Sequence, residues 1–153
     1  MRFLQKVKDG GPESPVDAYV LIEIKGLFSV MLLKFNKGGR EAFHSHAFDA
    51  LTWFIKGDLV EQSLVNHPNG THQRRVYRRS LLPKVTPRSL LHRVVAHKDS
   101  WCLTLRGPWV KQWVEYNEDD RKFTLLTRGR RVRFSRIMNC RDAAQLAEDY
   151  SRL

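Results

Sequence analysis

The sequence predicts an all-β domain, a sandwich or barrel of short strands, closed by one C-terminal helix. Three observations carry this. Short β-rich runs recur along the chain, and Gly, Pro and Asn punctuate them at close intervals, the pattern of antiparallel sheets rather than of βαβ units. Only the last stretch, RDAAQLAEDYSRL over 141–153, changes to a helical period, with Ala144, Leu146, Ala147 and Tyr150 on one stripe. The composition, 42% hydrophobic and 28% charged over 153 residues, is that of an ordinary soluble globular chain long enough to bury one core. With no repeat and no low-complexity tract, the expectation is one domain over 1–153, opening with a strand and loop over 1–16 and ending on the helix.

The elements follow in order. Gly10, Gly11, Pro12 and Pro15 break the chain after a short first strand. AYVLIEIK (18–25) and FSVMLLKF (28–35) flank Gly26 as a hairpin. Asn36 to Gly39 make a turn into a strand carrying His44 and His46, and LTWFI (51–55) is an apolar run ended by Lys56-Gly57. DLVEQSLV (58–65) continues as strand, and Asn66 to Gly70 read as a hairpin turn because Asn-Gly accepts positive φ. In the returning RRVYRRS (74–80) neither face is purely apolar, which places it at a sheet edge or along a basic cavity. Lys84 to Thr86 lead through Pro87 to a strand with His92. Trp101 to Leu105 and Trp109 to Tyr116 are strands around Gly107-Pro108, Phe123 to Leu126 is another, and the basic Thr127 to Arg136 is strand or loop.

Chemistry concentrates between Gly38 and Gly57. In an extended strand His44 and His46 share one face, and two imidazoles side by side can hold one metal ion. His92 supplies a third imidazole behind Pro87. With six histidines in one chain, an isolated H-x-H pair carries little weight. The weight lies in its conjunction with the Gly-Gly turn, the apolar run and the third His.

These stretches resemble the paired motifs of the cupin superfamily. Gly38, five residues, His44-Ser45-His46 and the closing Gly57 match the first motif; Pro87 and His92 match the second. The chain departs where the first motif has Glu, with Ala50 and Leu51 there instead, and in the second motif, with Ser89 for Gly and Ala96 for Asn. The frame of H-x-H, W-x-L-x-L-x-G-P and W-x-E-Y also resembles small cupin-like proteins carried by phages. The resemblance implies a jelly-roll barrel, or double-stranded β-helix, in which His44, His46 and His92 converge on a divalent metal. Imidazole suits Fe, Mn, Ni, Cu or Zn alike. The missing Glu leaves Glu61, on the next strand, as the expected carboxylate ligand, with Asp49 as the alternative. Arg106, Arg93 and Tyr77 are the residues expected to grip an anionic substrate. The implied function is a metal-dependent enzyme, of oxygenase type, acting on an anionic small molecule or nucleotide.

The formal charge of +11 and pI of about 10.1 support a second expectation, a non-catalytic barrel whose Arg-rich strands capture nucleic acid or a phosphorylated ligand. Trp53, Trp101, Trp109 and Trp113 read as core and rim aromatics. No phosphate-cradling loop, nucleophile elbow or dinucleotide fingerprint is present. No apolar run is long enough to span a membrane, the N-terminal stretch lacks a signal-like apolar segment, and Cys102 and Cys140 make no disulfide framework. A cytoplasmic protein, pairing as a homodimer through sheet edges, is the expectation.

Overall fold

The structure is a computed structural model and describes residues 1–39, 42–66, 72–128 and 130–152. Its strands are β1 (Arg2–Lys8), β2 (Val16–Ile24), β3 (Phe28–Phe35), β4 (Gly38–Gly39), β5 (Phe43–His44), β6 (Ala50–Lys56) and β7 (Leu59–Leu64). They continue as β8 (His72–Tyr77), β9 (Lys84–Thr86), β10 (Leu91–Ala96), β11 (Ser100–Arg106), β12 (Gln112–Asn117), β13 (Lys122–Thr127) and β14 (Arg131–Ile137), followed by α1 (Cys140–Ser151). Among the described residues these form two antiparallel sheets, as the jelly-roll expectation requires. One runs β1-β2-β3-β11-β6-β9; the other runs β14-β13-β12-β5-β10-β7-β8, with β4 added beside β10.

Alternation in each strand decides what lies between the sheets. Ala18, Val20, Met31, Leu33, Phe54 and Cys102 from the first sheet meet Leu59 and Ala96 from the second in one buried cluster. The opposite face of the second sheet carries Phe43, Leu64, Leu91, Val114, Tyr116, Phe123 and Leu125, and α1 covers it with Ala143, Ala144 and Ala147. Alanines let the helix approach the sheet closely, and Leu146 and Tyr150 flank them from the predicted stripe. Asn139 caps the helix, its side chain accepting the Asp142 N–H at 2.9 Å.

Two backbone details set up the site. Gly57 turns β6 into β7 at φ +93°, and a Cβ there would lie 2.1 Å from Ser100 Oγ, so both the conformation and the space require glycine. The His-x-His stretch is not one regular strand. Only Phe43–His44 is extended in the ladder; Ser45 bonds Val114 through both its N–H and its hydroxyl, and His46 turns its N–H toward the Arg88 carbonyl.

The expected strand over Trp109 to Tyr116 begins only at Gln112. Pro108 has no N–H to offer a ladder, and the N–H groups of Trp109 and Val110 bond Lys25 and Ala47 carbonyls instead. The basic segment after Thr127 is strand from Arg131. The Asn66 to Gly70 turn lies, beyond Asn66, outside the described residues, as do Arg40, Glu41, Gly129 and Leu153. No helix among the described residues is long and apolar enough to cross a membrane.

Candidate metal centre and its cavity

Sheet register brings the histidines together. His44 on β5 is the direct cross-strand partner of His92 on β10, so their side chains rise from the same side of the sheet. His46 reaches them from the irregular segment after β5. The three ring centroids are 5.0–5.2 Å apart, and one nitrogen from each ring lies within 4.8 Å of the others. His46 Nε2 stands 2.8 Å from His92 Nε2. Two nitrogens at that separation subtend about 85° at an ion about 2.1 Å from each, an angle that suits the adjacent positions of a facial three-histidine set better than a tetrahedron.

The protonation states favour the same use. Burial, then the neighbouring His92 and His44 and the cations Arg106 and Lys84, hold His46 well below the usual histidine range. It is neutral near pH 7 and offers a lone pair. His92 is buried, and its Nδ1 is bonded to Glu61 Oε1. A carboxylate accepting Nδ1–H fixes the tautomer and leaves the His92 Nε2 lone pair facing His46. The donor set therefore fits a divalent metal ion.

The expected carboxylate ligand, Glu61, stands outside the three-histidine group. Glu61 on β7 pairs with Val94, one diagonal step from His92, and this register delivers it to the far nitrogen of the His92 ring instead of to the three-histidine focus. There it also accepts Lys84 Nζ and, at 3.0 Å, the Tyr77 hydroxyl. Burial pushes the Glu61 carboxyl up, but the hydrogen bonds from His92 and Lys84 and the positive charge close to it outweigh that and bring the pKa to about 2. Asp49, the alternative, is exposed and caps a turn by accepting the Arg88 N–H at 2.8 Å.

The histidines open into a cavity of about 300 Å³ between the sheets. Its walls are largely apolar, with Leu33, Phe35, Phe48, Phe54, Val94 and Trp109 among them. Cys102 is a wall residue whose thiol burial pushes up to about 12, which leaves it protonated and unreactive. Of the residues expected to grip an anion, Arg106 and Tyr77 line the cavity and Arg93 does not. Since His92 faces in, the next residue on β10 must face out. Arg93 lies over the Phe43 ring on the helix side and bonds Gln62 and Glu118.

Sequence reasoning missed the partners of the cavity's cations. Arg106 is buried and forks onto Asp9 of the β1–β2 turn, at 2.7 and 3.2 Å. Lys84 is on Glu61, and Arg130 is on Glu115 at 2.6 Å. Among the described lining residues the three cations and three carboxylates cancel. No spacing in the sequence announces these pairs: Asp9–Arg106 and Glu61–Lys84 join segments far apart in the chain, and Glu115–Arg130 joins β12 to the β13–β14 turn of one meander.

No family model matches the sequence, and no curated protein matches it. Solved structures do resemble it. An iron(II) form of HppE superposes with a TM-score of 0.51 at 8% identity, over 67% of this chain and 55% of its own. An RmlC-like cupin from Shewanella frigidimarina gives 0.51 at 14% identity, over 69% and 84%. Oxalate decarboxylase from Bacillus subtilis gives 0.50 at 14% identity, over 64% of this chain and 26% of its own. The matched region is thus about half of the first protein and about a quarter of the third. Likeness at this level speaks to architecture, and with the two sheets described above it establishes that the chain has the cupin fold.

Proposed function

We propose that this protein is a metal-dependent cupin-type enzyme, of oxygenase kind, acting on a compact small molecule with one metal-seeking oxygen-rich head and an apolar body. The observation that carries the reading is the convergence of His44, His46 and His92 at the wall of a largely apolar cavity. Three neutral imidazoles would hold a divalent ion and leave positions on it for an exogenous ligand, the feature of reactive rather than structural sites. An ion so held supplies Lewis acidity or, if iron, manganese, nickel or copper, redox chemistry.

The chain's own residues do the rest. Glu61 fixes the His92 tautomer, while Lys84 and Tyr77 fix Glu61. Phe48 stacks against the His46 ring at 5.2 Å and, with Trp109, keeps water from that side. The apolar wall orients the substrate body, and the paired cations contribute little net charge. The cavity is therefore suited to a neutral or singly anionic molecule whose charged end goes to the histidines. A nucleotide would find, among the described lining residues, no cation that is not already bonded to a carboxylate.

The nucleic-acid reading is not favoured by where the arginines sit. β8 and β14 carry them at opposite edges of the same sheet, six strand spacings apart, about 29 Å at about 4.8 Å per strand.

Elemental mass spectrometry of the purified protein tests the proposal. Near-stoichiometric transition metal is expected, and the His44→Ala/His46→Ala variant should carry about one equivalent less than wild type. Wild-type protein that takes up no metal at the three histidines, with its fold intact, would overturn it.

A further inference from the structure

A second group of metal-type donors lies outside the cavity. His72, the first residue of β8, Glu118, just after β12, and Cys140, the first residue of α1, bring one ligand atom each to within 4.8 Å of one another. Glu118 Oε1 is the shared point: His72 Nε2 is 2.6 Å from it and Cys140 Sγ 3.5 Å. None of the three lines the three-histidine cavity. The segments they come from are far apart in sequence, so their meeting is a property of the fold.

We propose that these three side chains form a zinc site with one solvent position, which links α1 to the outer face of the sheet. One thiolate, one imidazole and one carboxylate are the donor mixture that Zn²⁺ accepts. Around an ion about 2.0–2.3 Å from each donor, tetrahedral neighbours sit about 3.3–3.7 Å apart. The Glu118–Cys140 separation already has this value, and the His72–Glu118 pair has to open by about 0.7 Å.

The charge balance also fits. Binding releases the thiol proton to solvent, and His72 in its Nδ1–H tautomer presents Nε2. One divalent cation with one thiolate and one carboxylate is then neutral, which a partly buried position tolerates. No oxidation is involved, and solvent completes the coordination on the exposed side of His72. The surroundings hold the ligands in place: Arg93 lies 3.5 Å from Glu118 Oε2, leaving Oε1 for the ion, and the Tyr116 hydroxyl sits 3.6 Å from Cys140 Sγ. The ion would link three elements, adding to the alanine, Leu146 and Tyr150 packing and to the Asn66 bonds with Gln145 and Arg141 that hold α1.

Cobalt(II) titration of chelator-stripped full-length protein tests this independently of the cavity. A near-ultraviolet sulfur-to-cobalt charge-transfer band is expected, saturating at one equivalent in the His44→Ala/His46→Ala background and erased by added Zn²⁺. Cys140→Ser and the surface change His72→Ala should each abolish the band and weaken binding at this site at least about tenfold. The band should survive His44→Ala/His46→Ala and Cys102→Ala, which alter only the cavity. No band at excess cobalt, or a band that persists in Cys140→Ser or vanishes in Cys102→Ala, would overturn the proposal and leave the cluster as a hydrogen-bonded knot.

Discussion

Replacing Glu61 by Gln is the sharpest test of how the cavity floor is built. Glu61 is 4% exposed and takes three donors at once: His92 Nδ1, Lys84 Nζ and the Tyr77 hydroxyl. Glutamine keeps the volume but offers a single acceptor oxygen and turns an NH2 toward at least one of those donors. Lys84, whose side chain is 13% exposed, also loses its counter-charge. Breaking a buried pair from one side costs about 3–5 kcal/mol, most of it from the stranded charge. With a urea m-value of about 2 kcal/mol/M, the unfolding midpoint of metal-free protein should fall by about 1.5–2.5 M. Changing both members, Glu61→Leu with Lys84→Met, should recover much of that loss, because no charge is left behind. A Glu61→Gln midpoint within about 0.5 M of wild type, or a double variant worse than the single, would refute the assignment of Glu61 and Lys84 as a mutually dependent buried pair.

Other outcomes follow from the same geometry. The Glu61 carboxyl is depressed from 4.5 to about 2, so its contribution to stability is complete above about pH 4.5 and drains away as the pH falls toward 2; the Glu61→Gln variant should show a flatter acid limb in pH-dependent urea melts. Gly57→Ala must hold alanine at φ +93° and drive its Cβ into Ser100, with Cα only 2.7 Å away. A loss of about 3 kcal/mol, or about 6–12 °C by calorimetry, is expected. Asp9→Ala uncovers Arg106, and calorimetric titration with a small carboxylate should show at least about tenfold tighter binding than wild type. Leu81, Leu82 and Val85 are 90%, 79% and 66% exposed around the edge strand β9. If the expected homodimer forms across this edge, Leu82→Asp should shift the sedimentation coefficient to that of a monomer.

Much of the fold was legible because turns are local chemistry. Gly26, Gly57, Pro87 and Pro108 each interrupt a strand within a residue or two of where the sheet ends, whereas of the expected Asn36–Gly39 turn only Asn36 and Lys37 interrupt, since Gly38–Gly39 pair with β10 as β4. The strand from Leu91 shows what more the sequence offered. Once His92 is placed inward, alternation alone turns Arg93 to the outer face, so its removal from the cavity was readable from strand periodicity. The role of Glu61 was not readable. It depends on β7 pairing with β10 so that Glu61 opposes Val94; in another register the same carboxylate would meet a different atom of the site or none. Asp9 with Arg106 and His72 with Glu118 and Cys140 are of the same kind, joined only by barrel closure and by the docking of α1.

The charge of +11 points to anions when read from composition, and the structure separates that number into two parts. Within the cavity, each described cation is bonded to a carboxylate, and the sum is zero. The excess is carried on the outside, in part by edge strands: β8 and β14 expose most of their residues, and Arg74, Arg131, Arg133 and Arg136 are among those in solvent. Charged edges discourage strand addition by a second molecule, a use of arginine that involves no ligand. Net charge therefore describes how this protein meets its solvent, whereas the cavity's selectivity must come from the histidines and the apolar wall. If that division is right, removing surface arginines in pairs, such as Arg131→Ser with Arg133→Ser, should lower solubility while leaving metal uptake at His44, His46 and His92 unchanged. Parallel loss of cavity metal on such surface changes would show that the two parts are coupled after all.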